Sequence, residues 1–316
     1  MTDSLPRVVA DGPLAENITG PLAGRVELLP WQVGLDGSAE TVDAIYTYGH
    51  PTVDGPMMDR LPGLRVISNY GVGVDHIDVA AATARGLPVG NTPTILNGAT
   101  ADMAFALLLA AGRRLAAGDR YARSAEFTVY DPGYMLGREI HHATLGIVGM
   151  GGIGQQIARR ARGFDMKVLY HNRNRRTQAE EVLQASYVSF DRLLTSSDYV
   201  VVSTPLTEET RGLIGARELE LMKETATLVN IARGPVVDTD ALTAALQSRS
   251  IYAAGVDVTD PEPLPRDHPL LGLDNFTVAP HLGSATVETR GQMADLSIQN
   301  LLAGLADQPL VHRVLT

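Results

Sequence analysis

The stretch Gly149-Met150-Gly151-Gly152-Ile153-Gly154 constrains this chain more than any other. It fits G-x-G-x-x-G, follows the apolar, strand-like run Leu145-Gly146-Ile147-Val148, and opens a segment of helical periodicity. Gly149 permits a tight turn, Gly151 lets the backbone approach a pyrophosphate, and Gly154 lets the helix pack close to the sheet. The amides of Gly152 and Ile153, at the helix N-terminus, complete an anion site. Without a strand before it and a helix after it, the same spacing is an ordinary glycine-rich turn.

The rest of the chain repeats the strand-then-helix order. Strand-like runs are read at Arg7–Ala10, Val26–Leu29, Ala44–Tyr48, Arg65–Ser68 and Pro88–Val89. A second set is read at Thr144–Val148, Lys167–Tyr170, Tyr199–Ser203, Thr227–Ile231, Tyr252–Asp257 and Phe276–Ala279. Residues 97–117, rich in Ala and Leu, read as one helix, and others are expected at Ile153–Gly163, Gln178–Gln184, Ala216–Met222, Asp238–Ser248 and Ser284–Leu305. Such alternation predicts βαβ units and parallel sheets. A length of 316 residues suits two domains. Residues 118–143 fit neither pattern, are rich in Arg, Tyr and His, and read as an interdomain or intersubunit arm.

Composition removes several classes of function. Twenty-six Lys+Arg against 36 Asp+Glu give a net charge of −10, which argues against a general nucleic-acid binder. The absence of cysteine excludes disulfides, thiolate catalysis and Cys-based metal sites, and no metal site is expected. The opening Met1-Thr2-Asp3-Ser4-Leu5-Pro6-Arg7 has no basic segment leading into an apolar one. The longest apolar stretch, Met103 to Ala111, is far short of the roughly 20 residues that span a bilayer. A cytoplasmic protein with no membrane partner is the expectation.

A carboxylate about 20 residues past the glycine motif would take the ribose 2′-hydroxyl of NAD. Here the second strand runs into Tyr170-His171-Asn172-Arg173-Asn174-Arg175-Arg176, a neutral Asn172 followed by arginines. That arrangement suits the 2′-phosphate of NADP; a solvated basic turn is the alternative. Three further residues follow successive strand-like runs: Arg233 in Asn230-Ile231-Ala232-Arg233-Gly234, Glu262 in Asp260-Pro261-Glu262-Pro263, and His281 in Pro280-His281-Leu282-Gly283. Ligands of open α/β sheets sit outside the carboxyl ends of strands, so the three are candidates for one site. An arginine forks onto a carboxylate, a histidine shuttles a proton near neutral pH, and a nearby glutamate orients the imidazole. Singly, each has a plainer reading as a surface charge, a solvated loop or a hydrogen-bonded structural histidine.

Together with these residues, Ser68-Asn69-Tyr70-Gly71-Val72-Gly73-Val74-Asp75-His76-Ile77-Asp78, Asn91-Thr92-Pro93, Thr204-Pro205-Leu206-Thr207 and Val256-Asp257-Val258 give a specific pattern covering nearly the whole chain. It resembles the D-2-hydroxyacid dehydrogenase family, within it the glyoxylate/hydroxypyruvate and hydroxyphenylpyruvate reductase branch. The resemblance implies an α/β fold of two Rossmann-like, doubly wound domains with a cleft between them. The substrate domain would be residues 1–98 plus 286–316, and the dinucleotide domain 99–285. It implies that Arg233 clamps the 2-oxo acid, that His281 is the acid–base residue oriented by Glu262, and that the amides of Val72 and Gly73 cradle the substrate carboxylate. Thr100, Thr204, Pro205, Ile231, Asp257 and His281 would line the cofactor beside the glycine motif, with Asn172, Arg173 and Arg175 reading its 2′ position. The expected cofactor is NADPH, with NAD a weaker alternative, and the expected assembly is a homodimer through the 118–143 arm.

Three departures stand out. Thr204 replaces a frequent Cys, Thr259 a commonly aromatic residue, and the only Trp, Trp31, lies outside the arm in which some members carry a substrate-covering Trp. Tyr130 and Tyr134 are candidate stand-ins or simply interface tyrosines. Formate- or phosphite-type dehydrogenation on the same scaffold, and a nucleotide-sensing binding protein, are the rival readings. The intact Arg233, Glu262 and His281 set argues against a mere sensor.

Overall fold

Short runs of β-branched and aliphatic residues form twelve strands among residues 4–315, which the computed structural model describes. They are β1 (Arg7–Ala10), β2 (Glu27–Pro30), β3 (Ala44–Thr47), β4 (Val66–Asn69), β5 (Val89–Gly90), β6 (Thr144–Val148), β7 (Lys167–His171), β8 (Ser186–Tyr187), β9 (Tyr199–Val202), β10 (Thr227–Asn230), β11 (Ala253–Val256) and β12 (Phe276–Val278). The chain divides into two units: the described residues up to Leu96 together with those from Thr286 onward, and the continuous segment Asn97–Ala285.

The first unit holds a five-stranded parallel sheet in the order β2-β1-β3-β4-β5. Helices Trp31–Asp36, Gly55–Asp59 and Val79–Ala84 lie with an apolar cluster that includes Val9, Ile45, Ile67, Met57 and Met58. The long helix Val287–Leu305 packs on β4, where the hydroxyl of Ser68 donates to the carbonyl of Ser297 at 2.7 Å. The buried hydroxyls of Tyr46 and Ser297 share a hydrogen bond at 2.8 Å in the same layer.

The second unit holds a seven-stranded parallel sheet in the order β12-β11-β10-β9-β6-β7-β8. Both faces are buried, which is why β6, β9, β10 and β11 read as nearly continuous apolar runs rather than alternating ones. Helices Asn97–Gly112, Gly152–Ala161 and Thr177–Leu183 cover one face; Phe190–Ser196, Ala216–Leu221 and Thr239–Ser248 cover the other. The chain leaves β6 toward β7 and β8, then returns to build β9 to β12 on the other side. The switch point therefore lies between the carboxyl ends of β6 and β9, where a sheet of this kind binds its ligand.

The structure corrects several expected elements. The helix expected over 97–117 is two: Asn97–Gly112, then Leu115–Ala122 after Arg114 adopts a left-handed φ of 55°. The last helix begins at Val287, not Ser284, because Thr286 caps it by accepting from the Thr289 amide. β2 runs one residue later than expected. Five short helices (Glu16–Leu22, Trp31–Asp36, Gly55–Asp59, Val79–Ala84 and Phe190–Ser196) and the two-residue β8 were not anticipated. Among the described residues no helix is long and apolar enough to cross a membrane, and no His/Asp/Glu cluster is arranged to hold a metal ion.

Candidate active site

At the switch point the glycine loop is pressed against the end of β9. Gly149 has φ +101°, a conformation natural only to glycine, and a Cβ added there would lie 2.9 Å from the Thr204 amide nitrogen. The loop is tied down on both sides. Ser203 donates its hydroxyl to the Gly149 carbonyl at 2.8 Å, and the Gly149 amide donates to the His171 carbonyl at 2.9 Å. A Cβ on Gly154 would fall 2.1 Å from the Gly149 carbonyl oxygen, so the helix is packed as closely as glycine allows. Nothing lies within 4 Å of a Cβ added at Gly151, which leaves open space in front of the helix N-terminus. The first turn of that helix carries no acidic residue. The cradle thus fits a dinucleotide pyrophosphate.

The three candidate side chains, Arg233, Glu262 and His281, stand on the loops that follow β10, β11 and β12. Arg233 follows β10; the Asn230 side chain fixes this turn by donating to the Arg233 carbonyl at 2.9 Å and accepting from the Ala232 amide at 3.0 Å. His281 follows β12 with φ +56°. Asp257, at the end of β11, holds the His281 loop through three bonds. Its carbonyl accepts from the His281 amide at 2.9 Å, and its two carboxylate oxygens accept from the amides of Leu282 and Gly283 at 2.7 Å each. Burial pushes the Asp257 carboxyl above its ordinary value, and those two amides pull it back. Thr100 lies beside this loop: a Cβ on Gly283 would be 3.3 Å from its Cγ2 and 3.0 Å from Oδ2 of Asp257.

Glu262 meets His281 directly, with Oε1 2.8 Å from Nδ1. A carboxylate can only accept, so Nδ1 is the donor to Glu262 and the carboxylate orients the imidazole ring. The Arg233 and Glu262 loops are packed backbone to backbone: a Cβ on Gly234 would lie 1.9 Å from the Thr259 carbonyl oxygen. Gly234→Ala is therefore expected to cost about 2–3 kcal/mol and to lower the melting midpoint by roughly 5 °C or more. Calorimetry of the variant checks this, and an unchanged midpoint would show that the two loops part freely.

The profile of the D-isomer specific 2-hydroxyacid dehydrogenase NAD-binding domain matches residues 105–283. A glyoxylate reductase of Thermococcus gammatolerans is 47% identical over 279 residues, 87% of this chain and 83% of that protein. The chain belongs to the D-isomer specific 2-hydroxyacid dehydrogenase family. A Thermus thermophilus structure superposes with a TM-score of 0.88 at 40% identity, covering 98% of this chain and 100% of that one. The NADPH-dependent glyoxylate/hydroxypyruvate reductase of Sinorhizobium meliloti, solved with NADP and malonate, superposes with a TM-score of 0.89 at 31% identity, over 98% and 97%. This dehydrogenase is accordingly an oxidoreductase with a Rossmann-like NAD(P)-binding fold.

The basic turn of the dehydrogenase is more structured than its sequence suggests. Asn172 accepts from the Met150 amide at 3.2 Å and donates to the Asn174 carbonyl at 2.8 Å, joining the turn to the glycine loop. Arg175 is gripped by Glu180. Arg173 is within electrostatic reach of Glu209, whose carboxyl is held below its usual value first by the Thr207 hydroxyl and more weakly by Arg173. Pro205 stays in the loop after β9, its carbonyl accepting from the Thr210 hydroxyl at 2.7 Å; Ile231 is buried just past β10.

In the first unit, Val72 and Gly73 sit in the loop after β4. Three successive carbonyls of this loop are pinned by buried or half-buried side-chain amides. Asn69 donates to the carbonyls of Gly71 and Gly73 at 2.9 and 2.8 Å, and Asn91 to that of Val72 at 2.8 Å. No acceptor among the described residues takes the amides of Val72 or Gly73. Asn69 and Asn91 in the first unit, and Asn230 and Ser203 in the second, are thus loop-fixing residues whose part sequence reasoning missed. Their only signal is a short polar residue at the end of a strand.

Proposed function

We propose that this dehydrogenase reduces glyoxylate, hydroxypyruvate and related short 2-oxo acids to D-2-hydroxy acids, with NADPH preferred over NADH. The observation that carries the reading is the Glu262–His281 hydrogen bond beside Arg233, built on strand ends next to a dinucleotide cradle. The names of the relatives supply the substrate class.

The glycine loop would hold the dinucleotide by its pyrophosphate, and a reduced nicotinamide would supply the hydride for C2 of the substrate. Arg233 grips the substrate carboxylate and carbonyl through its planar fork and stabilises the oxygen as it gains charge. The amides of Val72 and Gly73 are assigned to the substrate carboxylate, which makes residues 1–98 plus 286–316 the substrate domain and 99–285 the dinucleotide domain. His281 delivers the proton from Nε2 to the oxygen while Glu262 holds Nδ1–H and balances the imidazolium. Asp257 is assigned to the nicotinamide carboxamide as well as to its own loop. The exposed Phe127, Val129, Tyr130, Tyr134 and Leu136 lie on the 118–143 arm, and we assign that arm to a homodimer contact.

NADPH preference is assigned to Arg173 and Arg175, with neutral Asn172 sparing the phosphate a repulsive carboxylate. Each charge-assisted bond to the phosphate is worth about 1.5–3 kcal/mol, or roughly ten- to a hundredfold in affinity. Cellular NADP pools are kept largely reduced, which sets the direction toward the hydroxy acid. The test is an initial-rate screen of 2-oxo acids with NADPH and NADH in parallel, in wild type and in Arg173→Ala with Asn172→Asp. Aspartate keeps the acceptor for the Met150 amide. The NADPH/NADH ratio of kcat/KM is expected to exceed one and to collapse by roughly ten- to a hundredfold in the double variant. A wild-type ratio below one, or a ratio the variant leaves unmoved, would reduce the turn to a solvated loop.

A further inference from the structure

Tyr170, Glu180 and the turn that follows β7 form one hydrogen-bonded unit. The Tyr170 side chain is buried; its hydroxyl accepts from the Arg176 amide at 2.8 Å and donates to Oε1 of Glu180 at 2.7 Å. Glu180 comes from the next helix, Thr177–Leu183, and its side chain is only 16% exposed. It accepts from both Nε and Nη2 of Arg175 at 2.8 Å. The Arg175 guanidinium also lies over the Tyr187 ring, 5.9 Å from its centroid. The Arg175 fork, with the Tyr170 hydroxyl assisting, holds the Glu180 carboxyl down at about 2, so the grip persists at any working pH.

A guanidinium carries five N–H donors. The side-on grip of Glu180 uses the Nε donor and one on Nη2, which leaves the Nη1 and Nη2 end to meet another anion. We propose that Glu180 is a positioning residue for cofactor selection: with Tyr170 it holds Arg175 ready for the adenosine 2′-phosphate. This rests on the NADPH reading above and adds to it a residue outside the basic turn.

Two effects oppose each other. The carboxylate repels a phosphate, and it also removes the rotamer freedom that a loose arginine would lose on binding. Arg175 matches the Glu180 charge at hydrogen-bond distance, so the pair presents a dipole whose field fades quickly and is screened by salt. Arg173 and Arg176 still leave the turn cationic. Ordering therefore outweighs repulsion, and loss of Glu180 weakens phosphate recognition.

The test measures calorimetric Kd values for NADP+ and NAD+, with initial rates for NADPH and NADH, in wild type, E180Q, R175A and the double variant. E180Q is expected to weaken NADP+ binding about tenfold, the scale of ordering one long side chain, and to leave NAD+ within about twofold. In the R175A background E180Q should have no further effect, because Glu180 acts through Arg175. Tyr170→Phe, which keeps the buried ring, should move NADP+ in the same direction and serves if E180Q fails to fold. Unchanged or tighter NADP+ binding in E180Q would overturn the proposal, as would an equal loss for NAD+. The NADPH reading fails on a different result, a wild-type enzyme that binds NADP+ no better than NAD+.

Discussion

Truncation of His281 to alanine is expected to lower kcat for the best 2-oxo acid by roughly 10²–10⁴-fold, with NADPH binding retained. Hydride arrival at C2 leaves an alkoxide, whose charge must be met by a proton as it forms. In the proposed mechanism the imidazole gives that proton, its ring oriented by Glu262, whose Oε1 lies 2.8 Å from Nδ1. The His281 backbone is set by Asp257 and stays as it is when the ring is removed, so the cofactor cradle at Gly149–Gly154 is untouched. Steady-state kinetics together with a fluorescence titration of NADPH separate the two effects. Near wild-type kcat would transfer the proton-donor role to another group. A collapse of NADPH binding would show that the ring serves the cofactor instead.

The second large effect is expected from Arg233→Lys. Lysine keeps the charge but replaces a planar fork by a single ammonium, which cannot grip the carboxylate and the polarised carbonyl together. In the proposed mechanism the bonds lost are charge-assisted, and one of them strengthens as the carbonyl oxygen gains charge. KM for the 2-oxo acid should rise and kcat should fall together, for a combined loss in kcat/KM of roughly 10²–10³-fold. The turn itself should survive, since Asn230 holds it through the backbone of Ala232 and Arg233. A variant altered only in its KM for NADPH would move Arg233 to the cofactor.

The second unit was legible because its signals are local. A strand, a glycine turn and a helix occupy consecutive residues, and each buried parallel strand is an uninterrupted apolar run. Arg233, Glu262 and His281 could be nominated for one site because each lies in the loop after such a run; the Glu262–His281 hydrogen bond itself was not legible, since it depends on β11 and β12 being neighbours. The first unit was harder to read. Its four helices before Leu96 are five to seven residues long, and two contain proline, Pro21 and Pro56. Isolated segments of that length do not hold a helix in water. They form because Ile18, Leu22, Met57 and Met58 are buried by tertiary packing. Glu180 was missed for a related reason. It lies beyond the turn Asn172–Arg176, and only the following helix turns it back onto Arg175. Val72 and Gly73 carry no chemistry in their side chains, so only a resemblance singled them out.

The placement of the helix Val287–Leu305 bears on how the chain is made. This helix covers β4 in the first unit, yet it is encoded after the whole of Asn97–Ala285. On a ribosome the first sheet would emerge with the surface around Ser68 and Tyr46 uncovered, and would wait for about 190 more residues before its lid is synthesised. At typical translation rates that interval is roughly 10–40 s. The intervening unit has all of its strands and both helical layers within one continuous segment, so it can finish folding during the wait. The order of maturation should therefore run opposite to the order in which the two units begin. The exposed first sheet is the stage at which a nascent chain most needs protection from aggregation.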